Sequence, residues 1–456
     1  MYVKGKEDKS IQLEFSPLST WKHVEAALPN TSGSSVSFEV VNYDLLADSP
    51  IALGNFDIST YETAGVPHRI VMMGKGNYDL DKVTEDFKKI SDEEVKMFGG
   101  KHPCERYTHF IQNVESGGGG LEHLNCQTSQ VNRWAYTNSD KYRNFLGLIS
   151  HEYFHLWNVK RIRPYELGPF DYEKENYTDM LWVAEGITSY FDDLFLKRAG
   201  IHSTESYLAA LAGNINRLEN QPGKDVMSLD ESSKLAWVKA YLSNENSKNV
   251  TISYYNKGML VAWMLDLEIL TNTNGKKRLD DVLQILFDTY YTKEGRGFTH
   301  KEFIAVCEKV AGKNMDDFFM KYVFQKDAIP YSDYLAEVGI DMEDRANGTA
   351  SIGVSAKQTN GKLLITYVHP DGSGVEAGLS VNDEIIAINN WRVGSDLSDE
   401  IARLPIGSKA ELLYNRDGLV HSTMISIKKS PAVQYRLSAE EDLDKSVQKL
   451  QDIWLN

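Results

Sequence analysis

The spacing of hydrophobic and polar positions changes several times along the chain, and each change predicts a different element. Up to about residue 75 the alternation is that of strands. Ile11-Gln-Leu-Glu-Phe and Ser35-Val-Ser-Phe-Glu-Val-Val carry apolar side chains at every second position, with Pro, Asn, Ser and Gly between the runs. From Asp79 to about Phe98 the spacing becomes helical, with Leu80, Val83, Phe87, Ile90 and Val95 on one side. Arg106 to Val114 reads as a strand and leads into the run Gly117-Gly-Gly-Gly120. Long helices are predicted over about Lys141–Lys160 and Thr178–Arg198, and shorter amphipathic ones follow, among them Lys257–Leu270 and Lys301–Val310. Beyond Gly339 short strands with Gly and Asn turns continue to about Lys428. A last helix is expected from near Ser438, with Leu443, Val447, Leu450 and Trp454 on one face.

Length and charge narrow the classes. A chain of 456 residues is too long for one ordinary core and suggests roughly three domains. Its 42% hydrophobic and 25% charged residues are those of a globular protein. A formal charge of −16 argues against nucleic acid, whose phosphates would be repelled. The 3 cysteines (Cys104, Cys126, Cys307) form no CxxC pair, so neither a disulfide framework nor a cysteine zinc knuckle is expected. No apolar run reaches the roughly 20 residues of a membrane span. The start, Met1-Tyr-Val-Lys-Gly-Lys-Glu-Asp-Lys, has no signal-peptide core, although a chain whose signal had been removed would read the same. The expectation is a soluble chain whose compartment stays open.

The chemistry concentrates in His151-Glu152-Tyr153-Phe154-His155, inside an apolar helical stretch. Residues four apart project from one helix face, so both imidazoles can reach one ion. Glu152 lies beside the first ligand on the same edge, where a general base for a metal-bound water belongs. Two histidines can also fall on one helix by chance, and a catalytic zinc needs a third protein ligand and an open position. Glu185, in Trp182-Val-Ala-Glu-Gly-Ile-Thr-Ser-Tyr190, is a carboxylate in an apolar helix start with no basic neighbour in sequence. Burying it alone is costly, so it asks for a cation. Asp192, seven residues on, shares its face and could receive the free N–H of a ligand histidine; a solvated helix acid is an equally good reading.

The stretch from His151 to Pro164 (His-Glu-Tyr-Phe-His-Leu-Trp-Asn-Val-Lys-Arg-Ile-Arg-Pro) and the Trp-x-x-Glu-Gly-x-x-x-Tyr block resemble the signatures of the glycyl aminopeptidase family of gluzincin metallopeptidases, distant relatives of aminopeptidase N. The resemblance runs from Asp44-Leu-Leu-Ala-Asp-Ser-Pro-Ile through the C-terminal third, with an N-terminal β domain shorter than the family's. It implies one zinc per chain on His151, His155 and Glu185, with Glu152 catalytic. Gly119-Gly120-Leu121-Glu122-His123 resembles the Gly-x-Met-Glu-Asn edge strand of the same relatives. By that resemblance Glu122 binds the substrate's free α-amino group, and Gly119 and Gly120 let a peptide backbone come close. Leu121 and His123 depart from the pattern; for His123 a local hydrogen bond is the preferred reading over a stray metal ligand. Tyr255-Asn256-Lys257-Gly258 resembles the Tyr-x-Lys-Gly motif, which makes Tyr255 the oxyanion donor, with Tyr254 the rival if the register slips. The family also implies a preference for small N-terminal residues, Gly or Ala.

Ala377-Gly-Leu-Ser-Val-Asn-Asp-Glu-Ile-Ile-Ala-Ile-Asn-Asn390 resembles the core of a PDZ domain. Asn382 and Asn390 stand where glycine is common, and asparagine is the next-best residue in the left-handed region. A carboxylate-binding loop would fall near Ser351-Ile-Gly-Val354, without the usual Gly-Leu-Gly-Phe form, so peptide capture and a ligand-free docked module have even claims. The architecture expected is multidomain α+β: an N-terminal β domain over 1–75, a thermolysin-like zinc peptidase domain over 76–335, a PDZ-like domain over 340–430 and a C-terminal helix over 431–456. The function implied is a zinc aminopeptidase acting on peptides with a free N-terminus. Its rivals are a zinc endopeptidase in which Glu122 is only structural, and a PDZ-mediated binding protein with a vestigial metal site.

Overall fold

A computed structural model describes residues 2–28, 36–394 and 396–456. Ser35, read above as the start of a strand, lies outside them. The chain divides into two compact units, one formed by Met1–Tyr207, Ala262–Met315 and Asp444–Asn456, the other by Leu208–Val261 and Asp316–Leu443.

The first unit begins with two antiparallel strand pairs, β1 (Ile11–Glu14) with β3 (Ser37–Val40) and β2 (His23–Ala26) with β4 (Ile51–Gly54). The helix α1 (Tyr43–Ala47) sits between β3 and β4. Leu28, Phe38 and Val40 form a small core there, joined by Leu13, Val24 and Ile51. Next comes a five-stranded sheet in the order β5 (Asp57–Thr63), β6 (Val66–Met73), β7 (Tyr107–Val114), β9 (Cys126–Asn132), β8 (Gly120–Glu122). The three inner strands run parallel and the two edges antiparallel. Strands β5 and β6, read from the sequence with the N-terminal region, thus belong to the same sheet as β7 to β9.

Inner parallel strands are covered on both faces, which is why Ile70–Met72 and Tyr107–Ile111 are buried without alternation. Ile70, Met72 and Ile111 meet Val83, Phe87 and Ile90 of α2 (Leu80–Met97) and Phe145, Leu146 and Ile149 of α3 (Ser139–Phe154). The alternate residues Val71 and Phe110 meet Ala27 and Cys126 on the other face. Phe87 has no exposed surface, and its truncation to Ala should cost about 3–5 kcal/mol.

Two helices differ from the expected spans. The one expected to reach Lys160 ends at Phe154 and continues as irregular turns, tight where Leu156 N–H meets Tyr153 O and wide where Ile162 N–H meets Trp157 O. The one expected from Thr178 opens as a wide π turn over Trp182–Gly186 before α4 (Ile187–Arg198). Both departures serve the site described below.

In the second unit, strands Val354–Thr359, Lys362–Val368, Glu384–Ile388, Lys409–Arg416 and Leu419–Ser426 lie side by side in that order. Ile365, Ile385, Leu412 and Ile425 are among the residues of their core. Asn382 (φ +72°) and Asn390 (φ +64°) occupy the left-handed turns expected of them. The last helix does not start near Ser438. Tyr435–Ala439 is instead a strand paired with Ile340–Asp344, and the helix runs from Lys445 to Leu455, so Leu443 precedes it. The alternating Tyr435-Arg-Leu-Ser-Ala suits a strand, with Leu437 inward, and pairing outweighs the helical spacing drawn through Leu443.

Candidate metal centre and substrate edge

His151 and His155 leave the end of α3 on one face, ring centroids 4.7 Å apart, and turn their Nε2 atoms toward one carboxylate. Each Nε2 lies 3.2 Å from Glu185 Oε2, which the π turn presents from the opposite side. One donor atom from each of His151, His155 and Glu185 falls within a common 4.8 Å. The ring tautomers are set from behind. His151 Nδ1–H donates to Asp192 Oδ2 at 3.0 Å, and His155 Nδ1–H donates to the Asn158 carbonyl at 2.6 Å. With Nδ1–H committed on each ring, Nε2 is the atom left to meet a metal at the shared point.

The residue that joins these parts, Asn158, was not singled out by the sequence reading. Beyond Phe154 the backbone bonds are of mixed spacing, Leu156 N–H on Tyr153 O and Lys160 N–H on His155 O, and the Asn158 carbonyl meets the His155 ring. Its side-chain amide donates to Val183 O (2.9 Å), Ala184 O (3.1 Å) and Thr188 Oγ1 (3.1 Å). The π turn frees carbonyls for that purpose, as such turns do at functional sites. Asn158 thus fastens one ligand segment to the other. The opposite face of α3 is fixed by Tyr153. His68 Nδ1–H donates to Val66 O (2.9 Å), so its Nε2 accepts from the Tyr153 hydroxyl (2.8 Å). His102 Nε2–H must then donate to that hydroxyl (3.0 Å). Burial pushes His68 down to about 3 and His102 down to about 4, consistent with two neutral rings.

The field at the donors favours a cation. Burial opposes charge on His155, yet the Glu185 carboxylate outweighs it and lifts the ring up to about 8. His151 is raised well above its ordinary value, because Asp192 and Glu185 overcome its burial. Glu185 is held below the carboxylate range by His155 and His151 despite its burial. What would hold protons here holds a divalent cation equally well, and two imidazoles with one carboxylate are a catalytic zinc set with room for a further ligand. The residues fit the metal.

Glu152 points along the same edge. Burial pushes its carboxyl up to about 7, with His155 and His151 pulling down and Glu122 and Glu185 pushing up. Its Oε2 is buried and has no hydrogen-bond partner among the described residues. Donor atoms of Glu122, Glu152 and His155 also come within 4.8 Å of one another, so the edge strand β8 brings Glu122 to the general-base candidate. Gly120 stands over Glu152. A Cβ on it would lie 2.5 Å from Glu152 Oε1 and 2.6 Å from Cδ and Cγ. The glycine therefore makes room for Glu152. Gly119 has φ +89° with open space around it, a backbone requirement alone. His123 Nδ1 lies 3.2 Å from Asp48 Oδ1, a partner 75 residues away where a local hydrogen bond was expected. Tyr255 belongs to the second unit, just before the helix Asn256–Asn272, with its ring 4.8 Å from that of Tyr254.

A solved aminopeptidase N family protein from Idiomarina loihiensis is 31% identical, with a TM-score of 0.89 over 99% of this chain and 80% of that one. Residues 144–261 match the M61 glycyl aminopeptidase family and residues 1–55 match the Peptidase M61 N-terminal domain. The chain belongs to the M61 glycyl aminopeptidase family. Members of this family are metallopeptidases of the gluzincin type, and the donor cluster lies inside the matched segments and beside them. Residues 350–427 match the PDZ domain, which completes an architecture of N-terminal β-rich, central mixed α/β peptidase and C-terminal PDZ domains. A curated relative, a probable serine protease do-like protein from Buchnera aphidicola, is 34% identical over 81 residues, 17% of this chain and 16% of that protein. No helix among the described residues is long and apolar enough to cross a membrane.

Proposed function

We propose that this M61 family member is a zinc aminopeptidase that removes N-terminal residues, small ones first, from peptides with a free amino end. The convergence of Glu122 with Glu152 and His155 is the observation that carries the reading. Zinc bound by His151, His155 and Glu185 would polarise the scissile carbonyl and lower the pKa of its water to about 7. Glu152 accepts the proton of the attacking water and returns it to the leaving amine, a role suited to a carboxyl lifted to about 7. Glu122 pairs with the α-ammonium, whose burial would otherwise cost several kcal/mol. The edge of β8 away from β9, unpaired among the described residues, supplies backbone groups to an extended substrate. Asp192 and the Asn158 carbonyl keep the imidazoles in the ligating tautomer. Tyr255 as oxyanion donor rests on the Tyr-x-Lys-Gly motif.

The test is a panel of glycyl and alanyl anilides with their N-acetyl forms. Cleavage of the free amines with the blocked forms nearly inert is expected, together with a large loss for Glu122→Gln at unchanged zinc. Internal cleavage of blocked peptides at comparable rates would remove the exopeptidase reading and leave a zinc endopeptidase.

A further inference from the structure

Exopeptidase chemistry imposes a ruler. The α-amino nitrogen and the scissile carbonyl carbon are separated by one Cα, so the amine anchor has to stand at a fixed height over the metal donors. Tolerances for such constellations are about 0.5 Å. Yet Glu122 closes a strand of three residues that pairs on one side only, through Gly120 opposite Ser129, Leu121 opposite Thr128 and Glu122 opposite Gln127. So short an edge does not fix its own position.

The loop leaving β8 supplies what the strand lacks. The carboxylate of Asp48, immediately after α1, has three partners. Its Oδ1 takes Lys160 Nζ at 2.8 Å and lies 3.2 Å from His123 Nδ1, while its Oδ2 takes the Leu124 amide at 2.8 Å. The Leu124 carbonyl, at the other end of the same residue, accepts from Arg161 Nη1 at 3.0 Å. Arg161 also reaches Leu156 O (2.6 Å) and Cys104 Sγ (3.2 Å). The residues next to Glu122 are therefore gripped from two directions. Lys160 and Arg161 come from the turn that follows His155, so the grip is referenced to the metal ligands themselves. Arg161 is 4% and His123 8% exposed, and the Lys160 and Asp48 side chains are half-buried, so these charge-assisted bonds are largely shielded from bulk water.

We propose that Asp48, acting with Lys160 and Arg161, is the positioning device that holds Glu122 at the height where a substrate's α-ammonium is read. The N-terminal domain thereby takes part in substrate selection without touching substrate. This inference rests on the amine-anchor reading of Glu122.

The experiment is a kinetic double-mutant cycle in the full chain with Glu122→Gln, Asp48→Asn and both, with Lys160→Met as the independent variant. Each protein is assayed on an alanyl anilide and on the propionyl anilide that lacks only the amine, with zinc content and melting temperature measured alongside. Asp48→Asn should lower the ratio of kcat/KM for the two substrates about tenfold, mainly through KM, at unchanged zinc. Glu122→Gln should then cost less in the Asp48→Asn background than in the parent, and Asp48→Glu should recover part of the ratio. Lys160→Met should act in the same direction. Equal losses on both substrates, or additive effects of Asp48→Asn and Glu122→Gln, would overturn the proposal and leave the amine anchor standing. A ratio unmoved by Glu122→Gln in the parent would remove the anchor and the proposal together.

Discussion

Adding one methyl group at Gly120 should disable the enzyme without unfolding it. The residue lies in a strand and its φ is not in the left-handed region, so Ala is conformationally welcome there. In a strand the change even favours folding by about 0.5–1 kcal/mol. The obstacle is Glu152, whose Oε1, Cδ and Cγ would lie 2.5, 2.6 and 2.6 Å from the new Cβ. Ordinary contact begins near 3.4 Å, so the carboxylate has to retreat by roughly 1 Å, and a flexible side chain can do so cheaply. A displacement of that size in a catalytic group costs on the order of a hundredfold in rate. Gly120→Ala should therefore keep its melting temperature and zinc while kcat on an alanyl anilide falls about a hundredfold. Gly118→Ala is the control, because nothing lies within 4 Å of its Cβ and its φ is unrestricted. Equal activity of the two variants, or a Gly120→Ala protein that loses zinc or stability instead of turnover, would refute the reasoning.

Asp192→Asn should weaken zinc binding about 10- to 100-fold by chelator competition, since the carboxylate that accepts from His151 Nδ1 is lost; unchanged affinity would make Asp192 a bystander. Asn158→Ala removes the side-chain donor to the Val183 carbonyl and one of two side-chain donors to the Ala184 carbonyl, which keeps Thr188 Oγ1, and should destabilise the protein by about 1–3 kcal/mol in denaturant unfolding; a neutral result would remove Asn158 as the fastener. Tyr255→Phe should lower kcat about a hundredfold at constant zinc, and the same loss from Tyr254→Phe alone would move the oxyanion donor by one residue.

Local sequence carried the parts of this site whose geometry is local. Four-residue spacing put His151 and His155 on one face, and the apolar surroundings of Glu185 marked it as a carboxylate in need of a cation. The left-handed asparagines at 382 and 390 were legible for the same reason, because one residue's backbone preference decides them. Contacts between distant segments were not. Asp48 meets His123 75 residues away and Lys160 112 residues away, and no periodicity encodes either distance. Gly120 was read as space for a substrate backbone, while the structure shows it as space for Glu152, a contact across two elements. The π turn under Glu185 was not legible either, because Asn158 meets the Val183 and Ala184 carbonyls 25 and 26 residues away only in the folded chain. The strand Tyr435–Ala439 was missed because its partner, Ile340–Asp344, lies almost a hundred residues upstream, and a helical spacing could be drawn through the same stretch.

Zinc titrated back into metal-stripped protein, with hydrolysis of an alanyl anilide followed as zinc is added, tests the zinc mechanism most directly. For the parent chain activity should rise from near zero and level off at about one zinc per chain, as a site of three protein ligands requires. Glu152→Gln should bind the same equivalent and stay nearly inactive, because an amide cannot accept the water's proton. Full hydrolysis by stripped protein, or by zinc-loaded Glu152→Gln, would contradict it.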